Sequence, residues 1–310
     1  MSFDCEIFDA ARQEFLSHLR YAKGHRPTTC YAYNADLGQW RDWLQQASKD
    51  WQRARAADVE QFAAWMLRER QVSAHIVNRR LSCLSSFYRW ALKHEIVEAD
   101  PVYLADKPKR PLRIPVWLEK EEQQRLEATL KDRRNIPINI FGDNQAKMTE
   151  TRRRYEQLFG LLLNSGLRIS EALGLKASDV RLVAGTAKSV RVIGKGDKER
   201  LVPLPEAFGA VFGFWLKDRA RGEFVFARAV GQKPVSAQAA RAYLRLMLKK
   251  AGIEKKISPH KLRHTYATNL LNAGAELVDI KALLGHESIS TTQIYTNVGQ
   301  ERMEQVVARL

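Results

Sequence analysis

The chain has 310 residues, 45% of them hydrophobic, and carries 51 Lys and Arg against 35 Asp and Glu, a net charge of +16. Such a length predicts two domains, each able to bury its own core, and the hydrophobic content excludes wholesale disorder. No run approaches the ~18 apolar residues that span a bilayer, the acidic start MSFDCEIFDA is no signal peptide, and the three scattered cysteines, Cys5, Cys30 and Cys83, give no disulfide framework; a reduced cytoplasmic protein without a membrane partner is expected.

A positive charge this large implies a polyanionic partner, with nucleic acid ahead of membrane because no long basic amphipathic helix occurs. The charge is uneven: residues 1–110 hold 17 basic against 14 acidic side chains, and residues 111–310 hold 34 against 21. A basic protein merely kept soluble by its charge would have the same composition, so the partner has to be argued from residues.

In chain order, Leu37, Trp40, Trp43 and Leu44 recur at helical spacing, and DVEQFAAWMLRER suits a second helix with Val59, Phe62 and Met66 inward. A third helix carries Ile76, Leu81, Leu84, Tyr88 and Leu92 on recurrent faces and closes before Pro101. These make a small helical bundle over residues 1–106. The stretch KPKRPLRIP, 107–115, packs three prolines and four cations into nine residues and reads as an extended linker.

From 116 to 310 the pattern is mixed. EKEEQQRLEATL and YEQLFGLLLNSG are helical, the second stopping at Gly166, and LRISEALGL is a short helix. The period then changes: in SVRVIGKGDKERLVPLP two β-rich runs flank a GKGD turn, a hairpin pattern. Helices follow at 236–251, 259–272, 275–284 and 291–296, the last capped by Ser290 with Gln293 three residues on. The tail MEQVVARL sets Met303, Val306, Val307 and Leu310 on one helical face that wants a groove, in its own chain or a neighbour's. Residues 131–155 read as a loop running into a basic helix start. The fold class is mainly α: an N-terminal helical bundle plus a mixed, mostly helical domain with a small β-sheet.

The segment SPHKLRHTYATNLLNAG, 258–274, holds the first chemical question. His260 and His264 are four apart, as in the zinc motif H-E-x-x-H, but the glutamate is missing and Lys261 and Arg263 stand between them. Two cations beside a divalent cation oppose its binding, and no CxxC or other ligand cluster exists, so no metal is expected. His264 fits a packed or capping role, and His260 with Arg263 suits an anion.

A phosphodiester is the anion to test. Transfer at phosphorus spreads charge over equatorial oxygens, so a metal-free site needs arginines for bidentate contact, a nucleophile and a proton donor for the leaving oxygen. Suitable residues occur in order. Arg168 lies in GLRISEALGL with Glu171 at i+3 to orient it, and Lys195 sits in the GKGDK turn. His260 and Arg263 share a helix face, His286 follows Leu284-Gly285, and Tyr295 lies nine residues further in HESISTTQIYT. Each alone has an ordinary explanation: a solvated cation, an exposed turn lysine, a helix-end histidine, a core tyrosine.

The ordered set GLRISE, GKGDKER, HKLRHTYAT, LLGHESISTTQIYT resembles the tyrosine recombinase (phage integrase) family, whose pattern R…K…HxxR…H/W…Y is filled at every position. The resemblance covers the catalytic domain from about 116 to 300. More weakly, PTTCYAYNADLGQWRDWL and NRRLSCLSSFYRWALKHEIVEADP resemble the SAM-like core-binding domain of Xer-type recombinases. It departs at Ser85, where relatives often carry arginine.

This resemblance implies roles. Tyr295 is the nucleophile on duplex DNA, Arg168 and Arg263 clamp the non-bridging oxygens, and Lys195 is the acid for the departing 5′-oxygen. His260 assists proton transfer, His286 hydrogen-bonds the phosphate, and Glu171 braces Arg168. Thr29, Tyr33, Arg79, Arg80, Lys198 and Arg200 are expected at the DNA, with plain surface charge the alternative for the last two. A phosphotyrosyl link conserves the phosphodiester, so no cofactor is expected. The assembly implied is a homo-tetramer, or a hetero-tetramer with a sister recombinase, on two DNA sites. The favoured role is Xer-type, resolving chromosome dimers. The alternatives are a mobile-element integrase, a type IB topoisomerase, which shares the chemistry without exchanging partners, and a catalytically silent sequence-specific DNA-binding protein.

Overall fold

The computed structural model describes residues 4–109, 116–132, 145–194, 199–229 and 231–285. The chain divides into two compact units, Met1–Arg113 and Ile114–Leu310.

In the first unit, helices α1 (Cys5–Ser17), α2 (Pro27–Gln46), α3 (Ala56–Arg68) and α4 (Ala74–Lys93) enclose an aromatic core. Phe8, Phe15, Trp40, Trp51, Phe62 and Phe87 are almost wholly buried, and their rings meet edge-on or tilted at centroid distances such as 5.0 Å for Trp40–Phe62 and 5.5 Å for Phe8–Trp51. The Trp40 and Tyr88 polar atoms taken into this core are satisfied: Trp40 Nε1 donates to Tyr88 Oη at 3.2 Å, and Tyr88 Oη donates to Trp51 O at 2.8 Å. On α4 the inward stripe is Val77, Leu81, Leu84, Tyr88 and Ala91. Leu92 was expected on it but is exposed, because it lies one residue, about 100°, beyond the stripe. Helix α1 has only Phe8, Ala11 and Phe15 buried, too few repeats to read from periodicity. Its N-terminus is fixed by Asp4, whose side chain accepts the N–H groups of Glu6 and Ile7 at 3.0 and 3.2 Å.

The second unit contains α5 (Lys120–Lys131), α6 (Gln145–Ser165), α7 (Ile169–Gly174), strands β1 (Val180–Val183), β2 (Thr186–Ile193) and β3 (Glu199–Pro203), then α8 (Glu206–Leu216), α9 (Ala237–Lys250), α10 (Pro259–Asn272) and α11 (Leu277–Leu284). Mainly helical with one small sheet is therefore the architecture. The sheet is antiparallel in the order β1-β2-β3, with Ile193 opposite Glu199 at the hairpin expected around GKGD. Strand β1 was not expected. It is joined to β2 by Ala184 and Gly185, both at positive φ (48° and 77°), as a two-residue type I′ hairpin requires.

Helix α8 was also missed, since EAFGAVFGFWL carries two helix-weakening glycines. Their use is close approach: a Cβ at Gly209 would sit 2.2 Å from Ala187 O, and one at Gly213 2.1 Å from Gly185 O. The bare glycine face lets the helix lie directly on β2. The basic run expected at a helix start lies within α6, where its arginines act as internal struts. Arg152 Nη1 donates to Leu130 O and Lys131 O, at 3.2 and 3.0 Å, closing the end of α5. Arg154 Nη2 donates to Arg228 O at 3.0 Å. The expected helix at 291–296 and the amphipathic tail lie outside the described residues, as does most of the linker.

Candidate active site

Where α6 ends, Gly166 takes the left-handed conformation (φ +60°) and its N–H returns to Leu162 O at 3.0 Å. The chain then turns into α7 with Arg168 as its N-cap. Glu171 accepts the Arg168 backbone N–H at 2.9 Å and its Nη1 at 2.8 Å. The same carboxylate accepts Arg200 Nη1 and Nη2 at 3.2 and 2.9 Å. Burial alone would raise the Glu171 pKa, but the Arg200 fork, the Arg168 N–H and the guanidinium charges outweigh it and hold the carboxyl below its ordinary range. Glu171 is thus a fixed anion between two arginines.

Helix α10 opens with Ser258, whose Oγ accepts the Lys261 N–H at 3.4 Å, and Pro259 in the first turn. One turn in, Arg263 is 1% exposed. Its Nη1 donates to Gly166 O at 2.8 Å and its Nη2 to Leu284 O. One side chain therefore joins α10, the turn after α6 and the last turn of α11. Helix α11 ends at Gly285 in the left-handed conformation, φ 64°.

His260 reaches solvent on the same helix. Packing on its inner side lowers its pKa first, and the charges of Arg263 and Arg168 lower it further, which favours the neutral imidazole near pH 7. Both arginines therefore lie within electrostatic reach of one histidine. The ring of His264 stands edge-on to His260, 4.7 Å between centroids. Burial, followed by His260 and Arg263, pushes its pKa down to about 4. A half-buried imidazole held neutral is a packing element, as expected for His264. Among the described residues no group of three or more His, Cys, Asp or Glu could hold a metal ion.

The His264 shift has a measurable consequence. The unfolded chain binds a proton that the fold refuses, so this contribution to stability is complete above about pH 6.5 and is lost as pH falls through about 4. Between pH 7 and pH 4 the wild type should lose about 2 kcal/mol more unfolding free energy than His264→Gln. Urea titrations of both proteins at the two pH values check this; parallel losses would exclude His264 as the source.

Of the residues expected at DNA, Arg200 is placed differently. It is largely enclosed, forked onto Glu171, with Nε donating to Leu283 O at 3.2 Å. Its guanidinium is committed inside the domain. In the first unit, Arg79 is half exposed and forked onto the buried Asp36, Nη2 to Oδ1 at 2.7 Å, with Arg80 Nε 3.5 Å from the same carboxylate. Tyr33 stacks on Phe15 at 6.3 Å, and Thr29 is half buried on α2. Ser85, at the departure from the family pattern, donates to Asp100 Oδ2 at 3.2 Å. Lys195, Lys198, His286 and Tyr295 lie outside the described residues. Within them, Arg263 reaches the turn after α6 that leads into Arg168, and His260 lies one turn before Arg263 on α10. The Glu171–Arg200 contact was not foreseen, because no local spacing announces a pair 29 residues apart.

The sequence pattern of the phage integrase family matches residues 117–302, and that of the phage integrase N-terminal SAM-like domain matches residues 13–95. The chain belongs to the phage integrase family of tyrosine recombinases. Among curated relatives of this family, the tyrosine recombinase XerC of Halalkalibacterium halodurans is 34% identical over 94% of this chain and 94% of its own length. The tyrosine recombinase XerD of Ralstonia nicotianae is 35% identical over 96% of this chain and 93% of its own. Matches of that reach make this phage integrase family member an enzyme, a site-specific recombinase of the Xer type. Among solved structures, the XerH recombinase in its post-cleavage complex with a palindromic difH substrate has the same fold. Its TM-score is 0.72, at 19% identity over 96% of this chain and 84% of that one. No helix among the described residues is long and apolar enough to cross a membrane.

Proposed function

We propose that this recombinase breaks and rejoins duplex DNA through a 3′-phosphotyrosyl intermediate on Tyr295, with Arg168 and Arg263 as the phosphate clamp. The observation that carries the reading is that two arginines meet at the turn after α6: Arg168 caps α7 just past Gly166, whose carbonyl accepts Arg263 Nη1 at 2.8 Å, and His260 reaches solvent one turn before Arg263 on α10. An arginine pair presents paired N–H donors to the non-bridging oxygens, and a neutral imidazole can take a proton.

In the cleavage step the Tyr295 oxygen forms a bond to phosphorus while the bond from phosphorus to the 5′-oxygen breaks. The phenolic proton passes toward His260, and Lys195 supplies the proton to the departing 5′-oxygen. His286 hydrogen-bonds the phosphate. Attack by a 5′-hydroxyl on the phosphotyrosine reverses the step, and one phosphoester is conserved throughout, so no external energy source enters. Duplex DNA as substrate agrees with the charge of the chain, with 34 basic against 21 acidic residues beyond residue 110, and with the substrate complex of the structurally similar XerH protein. Arg79 and Arg80, held by Asp36 on the first unit, are the proposed backbone contacts there, with Thr29 and Tyr33 beside them. Lys198 is a further proposed contact. Two DNA sites would be held by four protomers, either identical or shared with a sister recombinase, and resolution of chromosome dimers is the proposed role.

Covalent trapping tests the chemistry. Wild-type protein is incubated with fragmented DNA from its own cell and denatured in detergent, and the attached DNA is recovered, with Tyr295→Phe alongside. Retention through a 3′ end by the wild type and none by the mutant is expected, and the recovered sequences then name the site. Tight binding before denaturation with no retention by either protein would instead favour a DNA-binding protein without catalysis.

A further inference from the structure

Arg200 sits where three parts of the active site are tied together. It lies on strand β3, a few residues after Lys195 in sequence, and its fork closes on Glu171, the carboxylate that also holds Arg168. Its Nε closes on Leu283 O at 3.2 Å, while Arg263 takes the next carbonyl, Leu284 O. The last turn of a helix leaves its carbonyls without partners inside the helix. Here two of them are capped by arginine side chains from different elements, immediately before Gly285 and His286. The fit is close: a Cβ at Gly285 would lie 3.1 Å from Arg200 Nη1 and 3.2 Å from its Cζ. The side chain is only 15% exposed, and its anionic partner Glu171 only 7%.

We propose that Arg200 is a positioning residue for the cleavage reaction rather than a DNA contact: it locks the end of α11 and the Arg168 side chain onto one shared carboxylate. This rests on the reading of Arg168 and Arg263 as the phosphate clamp. Through Glu171, Arg200 fixes where the Arg168 fork points. Through Leu283 O it fixes the end of the helix from which His286 departs. Lysine at 200 would keep the charge opposite Glu171 but lacks the planar fork needed to hold a carboxylate and a carbonyl together.

The test uses the full chain, with a nicked duplex bearing the site recovered by covalent trapping. Arg200→Gln should bind this DNA within about twofold of wild type yet form covalent complex about 100-fold more slowly in single turnover, as a displaced phosphate clamp does. Arg200→Lys should fall between the two. A second duplex carries sulfur in place of the bridging 5′-oxygen, so that the leaving group needs no proton. It should restore cleavage by Lys195→Ala and leave Arg200→Gln slow, which separates positioning from proton supply. Amide hydrogen exchange reads the lock without activity: Arg200→Gln should speed exchange at 282–285 and 169–172 and leave residues 5–93 unchanged.

Affinity falling in step with cleavage, with a shallower salt dependence, would make Arg200 a phosphate contact and overturn the proposal. Unaltered cleavage, or unaltered exchange at both segments, would overturn it equally. Should the wild type itself fail to cleave, the phosphate clamp reading fails, while the exchange arm still decides whether Arg200 holds α11 to Glu171.

Discussion

Arg263→Ala is expected to slow covalent complex formation by about a thousandfold or more, the scale on which an arginine that stabilises phosphoryl-transfer charge is measured. The chain at 263 is built for more than charge. A guanidinium has five N–H donors, and two of them go to Gly166 O and Leu284 O. Alanine removes the transition-state contact and also strands two buried carbonyls, each at about 1–3 kcal/mol. Unfolding by urea should therefore register the same substitution.

Arg263→Lys separates the two losses. It keeps a positive charge within α10 but cannot span both carbonyls and a phosphate oxygen, so cleavage should stay within about tenfold of the alanine variant while part of the stability returns. Single-turnover cleavage, DNA affinity and urea unfolding, measured on both variants, check this. Cleavage by Arg263→Lys close to wild type would mean that charge alone is needed and that fork geometry is not.

Much of this site could be read before any coordinates, for a local reason. Arg168 and Glu171 are three residues apart at a helix start, where a carboxylate at the third position can reach back to the cap, and the contact is there. His260 and Arg263 are likewise one helical turn apart. Spacing placed both on a single face, but it did not distinguish the solvent-reaching histidine from an arginine sealed at 1% exposure. That difference comes from what α10 packs against, the turn after α6 and the end of α11, far away in sequence.

Arg200 is the sharpest example. In KERLVPL it is indistinguishable from a surface cation at a hairpin, and only the register of β3 and its approach to α7 make it a strut. Helix α8 was illegible for the opposite reason. Its glycines weaken the helix when taken alone, and their use appears only with β2 lying against them. Locally encoded features could be read, and those set by tertiary approach could not.

The same tertiary approach makes Gly166→Ala a damaging small substitution. At φ +60° an alanine meets the left-handed penalty of about 1–2 kcal/mol. Its Cβ would also lie 2.4 Å from Tyr266 Cδ1 and 2.8 Å from Leu284 Cδ2, two buried side chains with little room to retreat. Overpacking of that kind adds about 1–3 kcal/mol, so the total is expected near 2–5 kcal/mol. Gly252 is the internal control, because it has almost the same φ, +65°, in the same unit, with nothing within 4 Å of an added Cβ. Gly252→Ala should show the backbone cost alone, about 1–2 kcal/mol, and the difference between the two variants measures the packing. Equal losses would mean that Tyr266 and Leu284 yield freely. A loss confined to Gly166→Ala should carry cleavage down with it, since any shift of residue 166 moves the carbonyl that seats Arg263.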